Sequence, residues 1–230
     1  MISIVIPIYN EAQNIESLVN EIFDSLTKYK GYELILVNDF SNDNTKDVVR
    51  KLQNDFKILL LNNSINSGQS FSIHRGIKES TNNIIVTLDG DGQNNPHDIP
   101  KLLDSYISNT NISLVGGIRS KRKDSFIKIF SSKIANKIRS KILQDGCVDT
   151  GCSLKVFNRQ YFLQFPYFNG MHRFLPALFS GYGHKTIFIN VDHRARVKGY
   201  SKYGTIDRLY RGIIDIIRVR SIIKKHNQNS

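Results

Sequence analysis

Apolar positions in the first hundred residues switch between two periods. Ile2–Ile8 (ISIVIPI) is a short β-branched run, as expected of a strand buried on both faces. Residues 15–26 then place Ile15, Leu18, Val19, Ile22, Phe23 and Leu26 at helical spacing. Tyr32–Val37 predicts a second strand ending at Asn38-Asp39, and residues 45–52 a helix with Asp43 or Asn44 as N-cap. A third strand is expected over Phe56–Leu61, a helix over Phe71–Glu79 and a fourth strand over Asn83–Leu88. A helix over His97–Ile107 and a strand over Ile112–Gly117 follow. This alternation predicts an α/β fold, a mostly parallel sheet with helices on both faces. Ligands of such sheets bind beyond the carboxyl ends of the strands. Tyr9-Asn10-Glu11, Asp39 and Asp89/Asp91 all fall at such ends, so three polar clusters distant in sequence are expected in one crevice.

The second half is less regular. Residues 121–143 form a basic amphipathic stretch with Ile127, Phe130, Ile134, Ile138 and Leu143 near one stripe. Residues 186–191 (TIFINV) predict another strand, followed by a polar loop over 192–204. Ile206–Ile223 predicts a second basic amphipathic helix, with Arg208, Arg211, Arg218, Arg220, Lys224 and Lys225 around an isoleucine-rich face. Each basic stretch is either a helix packed on the domain with a solvated face or an interfacial helix against anionic lipid.

Composition narrows the choices. The 230 residues, 40% of them apolar, suffice for one cored domain or two small ones. No apolar run approaches the roughly 20 residues of a membrane span. The opening ISIVIPIY lacks a basic leader and a cleavage site, and reads as a strand and not a secretion signal. Cys147 and Cys152 fit no zinc or redox spacing and are expected as reduced structural thiols of a cytoplasmic protein. The net charge of +12 calls for an anionic partner, and it is unevenly spread: residues 1–100 carry −5 and residues 101–230 carry +17. A nucleic-acid-binding module would account for the basic half but not for the acidic strand ends, so no nucleic-acid partner is expected. Neither G-x-G-x-x-G, a P-loop nor HExxH occurs, which disfavours hydride transfer and ATP hydrolysis.

The stretch VTLDGDGQNNP places Asp89 and Asp91 two residues apart at a strand end, with Gly90 between them and Gln93 beyond. Oxygen donors in that pattern suit Mg²⁺, which takes one or two carboxylates together with substrate phosphates. The same residues also make ordinary acidic turns. Three strand ends in order, IPIYNEAQNI, LILVNDFSNDNT and VTLDGDGQNNPHDIP, resemble glycosyltransferase family 2, inverting nucleotide-sugar transferases of GT-A type. Asp149-Thr150-Gly151-Cys152, Met171-His172-Arg173-Phe174-Leu175-Pro176 and His193-Arg194-Ala195-Arg196 with Ser201-Lys202-Tyr203-Gly204 are similar to its polyprenyl-phosphate branch. That branch includes dolichol-phosphate mannose synthase and bacterial undecaprenyl-phosphate sugar transferases.

The resemblance implies transfer of a hexose, mannose favoured, from a nucleotide sugar (GDP-mannose, or a UDP-hexose) to a polyprenyl phosphate. It also implies a divalent ion, Mg²⁺ or Mn²⁺. Donor-binding residues would be Pro7, Tyr9, Glu11, Val37, Asp39, Asp89, Gly90, Asp91 and Gln93. The metal would sit on Asp91 and Gln93, with Asp89 a further candidate. Acceptor phosphate would meet Arg119, His172, Arg173, Arg194, Arg196, Ser201 and Lys202. Asp91, Arg119, Asp149, Arg196 and Lys202 would carry the catalysis, Asp149 either orienting a partner or serving the structure. His172 is either beside the acceptor or a packed histidine. The catalytic domain is expected over 1–204, with a donor half to residue 118 and an acceptor half from 119, and an interfacial helix over 205–230. A peripheral position on the cytoplasmic face of a membrane follows, and a separate membrane subunit or flippase is a further expected partner. A soluble family member acting on a sugar or protein hydroxyl is the alternative. The chain departs from the family pattern at Asn38-Asp39-Phe40-Ser41, where a second aspartate and a glycine are usual, and at Ala195, where proline is common.

Overall fold

The computed structural model describes residues 1–120, 139–194 and 205–229. Its strands are β1 Ile2–Ile8, β2 Tyr32–Asn38, β3 Ile58–Asn62, β4 Ile84–Thr87, β5 Ile112–Arg119, β6 Lys155–Asn158 and β7 Lys185–Val191. They form one sheet in the order β3-β2-β1-β4-β6-β5-β7. Pairing is parallel except at β6, which runs antiparallel to both β4 and β5. The helices are α1 Ile15–Ser25, α2 Thr45–Leu52, α3 Gln69–Glu79, α4 Ile99–Ile107, α5 Arg159–Gln164, α6 Leu175–Gly181 and α7 Thr205–Asn229.

Alternation along the central strands builds two cores. Ile4, Ile6 and Ile8 of β1 bury with Leu34 and Leu36 against Ile15, Leu18, Val19 and Ile22 of α1. Val5, Ile35 and Val37 point the other way, to Ile73 and Ile77 of α3. A Cβ at Gly76 would run into Val5, so this glycine lets α3 lie directly on the sheet. This is the doubly covered, mostly parallel α/β sheet that the hydrophobic pattern predicts.

Several boundaries differ for physical reasons. β3 starts at Ile58 and not Phe56, because the chain leaves α2 through a turn in which the Phe56 amide bonds Leu52 O at 2.9 Å. The helix expected over 97–107 enters through a 3₁₀ turn at Pro96–Asp98, capped by Asn95, before α4 begins. α7 continues to Asn229. β6 escapes the pattern because it is four residues long and opens on a lysine. Of the basic stretch 121–143, residues 139–143 are helical, with Leu143 in the core and Arg139 buried against Asp145. Residues 121–138, and with them Ile127, Phe130, Ile134 and Ile138, lie outside the described residues. Both thiols are free and buried. Among the described residues no helix is long and apolar enough to cross a membrane.

Candidate active site

The carboxyl ends of β1, β2, β4 and β5 lie along one edge of the sheet. Because β6 is antiparallel, its first residue reaches the same edge. The pairing Thr87↔Lys155 sets Lys155 beside the segment leading to Asp89, and Gly116↔Lys155 links it to β5, which ends at Arg119.

At the β1–β2 corner the two strand ends are knitted together. The Asp39 amide bonds Ile8 O at 2.9 Å, and the Asn10 amide bonds Ser41 Oγ at 2.9 Å. The Glu11 amide donates to Thr45 Oγ1 at 2.8 Å, and its carboxylate accepts from Asn14 at 2.7 Å. Buried Asp39 accepts from Asn63 Nδ2 (2.7 Å) and from the amides of Ser67 and Gly68 (2.8 Å each). Asp39 therefore anchors the loop that enters α3. Pro7, Tyr9 and Glu11 are partly buried on this rim. Val37 is fully buried in the core, so its side chain supports the corner from beneath and does not line it. Phe40 takes the left-handed backbone (φ 62) at the position where the sequence departs from the family glycine, and its ring is exposed.

At the end of β4, Gly90 passes so close to β1 that a Cβ would stand 2.8 Å from Ile8 Cγ2 and 3.1 Å from Pro7 O. This contact holds the two strand ends side by side. Asp89 accepts from Gln69 Nε2 at 2.6 Å, and its amide bonds Asn94 Oδ1 at 3.2 Å. Burial, then the neighbouring Asp91 carboxylate, push the Asp89 carboxyl up to about 6, against the pull of Ser153, Lys155 and Arg119. Asp91 is buried and accepts from the Gln93 amide at 3.1 Å. Gln93 is tied to the end of the late strand: its carbonyl accepts from the Arg194 amide at 2.9 Å, and its side chain lies 3.4 Å from Arg194 O. Two crowded carboxylates with an amide oxygen nearby are a donor set for a hard divalent cation. Among the described residues no three His, Cys, Asp or Glu side chains converge as a metal site. A cation here would complete its shell with ligand oxygens and water, as Mg²⁺ does.

Cations flank this corner. Arg119 is held by a two-pronged ion pair with Asp149, which also accepts the Arg119 amide at 3.1 Å. Lys155 is buried and donates to Cys152 O. His172 Nδ1 lies 2.6 Å from Ser70 Oγ. Burial, then Arg173 and Lys155, drive its pKa down to about 3, so the ring is neutral. Arg173 pairs with Asp215 of α7 at 2.8 Å, and Arg194 with Glu21 at 2.6 Å and Asn95 at 2.7 Å. These carboxylate partners make Arg173 and Arg194 structural tethers in this conformation. Arg196, Ser201 and Lys202 lie outside the described residues.

Sequence reasoning missed Gln69, Ser70, Ser153 and Lys155. A lysine inside the apolar run SLKVFN was a legible signal, since buried lysine needs a reason. Gln69, Ser70 and Ser153 carried none, because their importance comes from what the fold places opposite them.

The glycosyl transferase family 2 model matches residues 3–165. The dodecaprenyl-phosphate galacturonate synthase of Rhizobium johnstonii is 35% identical over 224 residues, 95% of this chain and 66% of that protein. The undecaprenyl-phosphate 4-deoxy-4-formamido-L-arabinose transferase of Yersinia pestis is 31% identical over 221 residues, 94% of this chain and 66% of that protein. The chain thus spans 66% of the length of either relative. Among solved structures, glucosyl-3-phosphoglycerate synthase from Mycobacterium tuberculosis, with Mn²⁺, UDP and phosphoglyceric acid, superposes with a TM-score of 0.73 at 18% identity, over 96% of this chain and 78% of that one. The same enzyme with Mg²⁺ and UDP gives 0.72 at 18% identity, over 96% and 79%.

Proposed function

The chain belongs to glycosyl transferase family 2, and from that premise we propose that it transfers a glycosyl group from a nucleotide sugar to a polyprenyl phosphate. The observation that carries this reading is the shared sheet edge, where the Asp89–Asp91 corner lies within electrostatic range of Arg119 and Lys155. Both relatives are named for sugar transfer to a polyprenyl phosphate, which supports the acceptor class. Their sugars are galacturonate and 4-deoxy-4-formamido-L-arabinose, and the structural neighbours were crystallised with UDP. A UDP-sugar is therefore the favoured donor, and mannose from GDP-mannose rests on motif resemblance alone.

The proposed chemistry follows from charge. A nucleoside diphosphate leaving group needs its developing charge neutralised. Asp91, Gln93 and, beside them, Asp89 would hold Mg²⁺ or Mn²⁺, and the ion would supply electrostatic stabilisation of the diphosphate. Arg119 and Lys155 add fixed positive charge at the same edge. The acceptor phosphate, with a second pKa of about 6, is largely dianionic at neutral pH. It attacks the anomeric carbon directly and in line, without a base to deprotonate it, and inverts the configuration. A sugar-hydroxyl acceptor would instead need a carboxylate free to take a proton. Asp149 is engaged by Arg119, which favours the phosphate reading. A cytoplasmic-face position at a membrane would be served by the exposed Ile213, Ile214 and Ile217 of α7, with Arg218, Arg220, Lys224 and Lys225 on the same helix.

Incubation with radiolabelled UDP-sugars and GDP-mannose, Mn²⁺, and either a short-chain polyprenyl phosphate or a free-sugar acceptor tests this. Label from a UDP-sugar in the organic phase is expected. Label confined to water-soluble glycosides would replace this reading with the hydroxyl-acceptor one.

A further inference from the structure

Four consecutive residues at the start of α3 hold three different parts of the site. The Ser67 and Gly68 amides bond Asp39, Gln69 bonds Asp89, and Ser70 bonds His172. Ser70 is fully buried, and its Oγ accepts from the Gly170 amide at 2.8 Å. Its own hydrogen then needs an acceptor. Among the described residues the one within reach is His172 Nδ1 at 2.6 Å. A buried hydroxyl with its hydrogen unspent would bear a desolvation cost that nothing offsets. A ring nitrogen that accepts cannot carry the ring proton, so in a neutral imidazole the proton sits on Nε2. Nε2 has no partner among the described residues. Arg173, next in the chain, and Lys155 oppose a second proton.

We propose that Ser70 is a positioning residue that fixes His172 as its neutral Nε2–H tautomer, so that the ring offers one hydrogen-bond donor to the acceptor phosphate. The second half rests on the proposed function. The first half does not, and it joins donor and acceptor sides through adjacent residues: Gln69 holds Asp89 while Ser70 sets His172.

The test is long-range ¹⁵N–¹H correlation of the His172 ring in ¹⁵N-labelled protein, assigned by the signals lost in His172→Gln. A pyrrole-type Nε2 with a pyridine-type Nδ1 is expected in the wild type, and a proton on Nδ1 overturns the role given to Ser70. Ser70→Ala is expected to shift the ring towards a tautomer mixture, and Ser70→Thr, which keeps the hydroxyl, to restore the wild-type pattern. An unchanged ring in Ser70→Ala also overturns the proposal. In kinetics, Ser70→Ala should raise KM for a short-chain polyprenyl phosphate about five- to tenfold, the effect of one hydrogen bond, with donor KM unchanged. Titration with farnesyl phosphate should move the Nε2 resonance. If the tautomer is as stated and Nε2 does not move, the acceptor contact is overturned and the tautomer assignment stands.

Discussion

Arg119 grips Asp149 with both arms of its guanidinium: Nε reaches Oδ2 at 2.8 Å and a terminal nitrogen reaches Oδ1 at 2.7 Å. The side chains are 14% and 7% exposed, so water does little to screen the pair. The pair joins the end of β5 to the segment that leads into β6.

Asp149→Ala would leave Arg119 largely buried without this partner, and should destabilise the fold by about 3–5 kcal/mol. Arg119→Lys keeps the charge but not the planar fork, and should lose both stability and activity. Urea denaturation checks the first claim. A loss under about 1 kcal/mol would show that the ion pair is not structural.

Gly90 is confined by the chain and not by its own backbone angles. Gly90→Ala drives a methyl towards Ile8 and the Pro7 carbonyl. Overpacking of this kind costs about 1–3 kcal/mol, and the displaced Asp89 and Asp91 should weaken binding of UDP with Mn²⁺ in calorimetry. Unchanged stability and affinity would show that β1 and β4 can part without consequence.

Much of this was legible in the sequence, for definable reasons. The unbroken β-branched run Ile4-Val5-Ile6 and the helical spacing of Ile15, Leu18, Val19 and Ile22 report burial directly, and both faces of the sheet follow from them. Asp89 and Asp91 were expected at a strand end, where ligands of such sheets collect, and they follow the end of β4. Asp39 was expected at the end of β2 in the same way, yet its oxygens serve Asn63, Ser67 and Gly68, a use no local pattern reveals. Lys155 stands out in the sequence as a lysine inside an apolar run, whereas Ser70 became visible only when α3 was set opposite His172. Arg194 shows the reverse case: a loop cation read as a phosphate ligand is tied to Glu21, 173 positions away.

Glu33 gives a pH dependence remote from the site. Burial opposes its charged form, but hydrogen bonds from Ser3, Thr81 and Asn82 outweigh burial and hold the carboxyl below its ordinary value. A depressed carboxyl stabilises the fold above the unfolded-state pKa, and that contribution is lost as pH falls through the folded value. The stability gap between wild type and Glu33→Gln should therefore be present at about pH 6 and close towards about pH 3. A gap that widens on acidification would contradict the assignment.

The exposed isoleucines of α7 predict a surface interaction. Ile213, Ile214 and Ile217 are 53%, 39% and 66% exposed. With Ile142, also exposed, Ile213 and Ile217 line an apolar groove that Arg220 borders. Ile213→Glu with Ile217→Glu should weaken sedimentation with anionic vesicles at least tenfold, because apolar burial and charge attraction act together. Equal binding by wild type and variant would remove the interfacial reading of α7.

The central claim is that the Asp89–Asp91 corner performs glycosyl transfer to a lipid phosphate. It is tested most directly by the initial rate at which label from a UDP-sugar enters an organic-extractable polyprenyl-phosphate product, compared between wild type and Asp91→Asn at matched protein and Mn²⁺. Wild type should form the product and lose it when the metal is chelated, and Asp91→Asn should fall by at least about a hundredfold, as loss of a charge-stabilising group does. Equal rates in the two proteins, or a wild-type rate unaffected by chelation, would contradict the account.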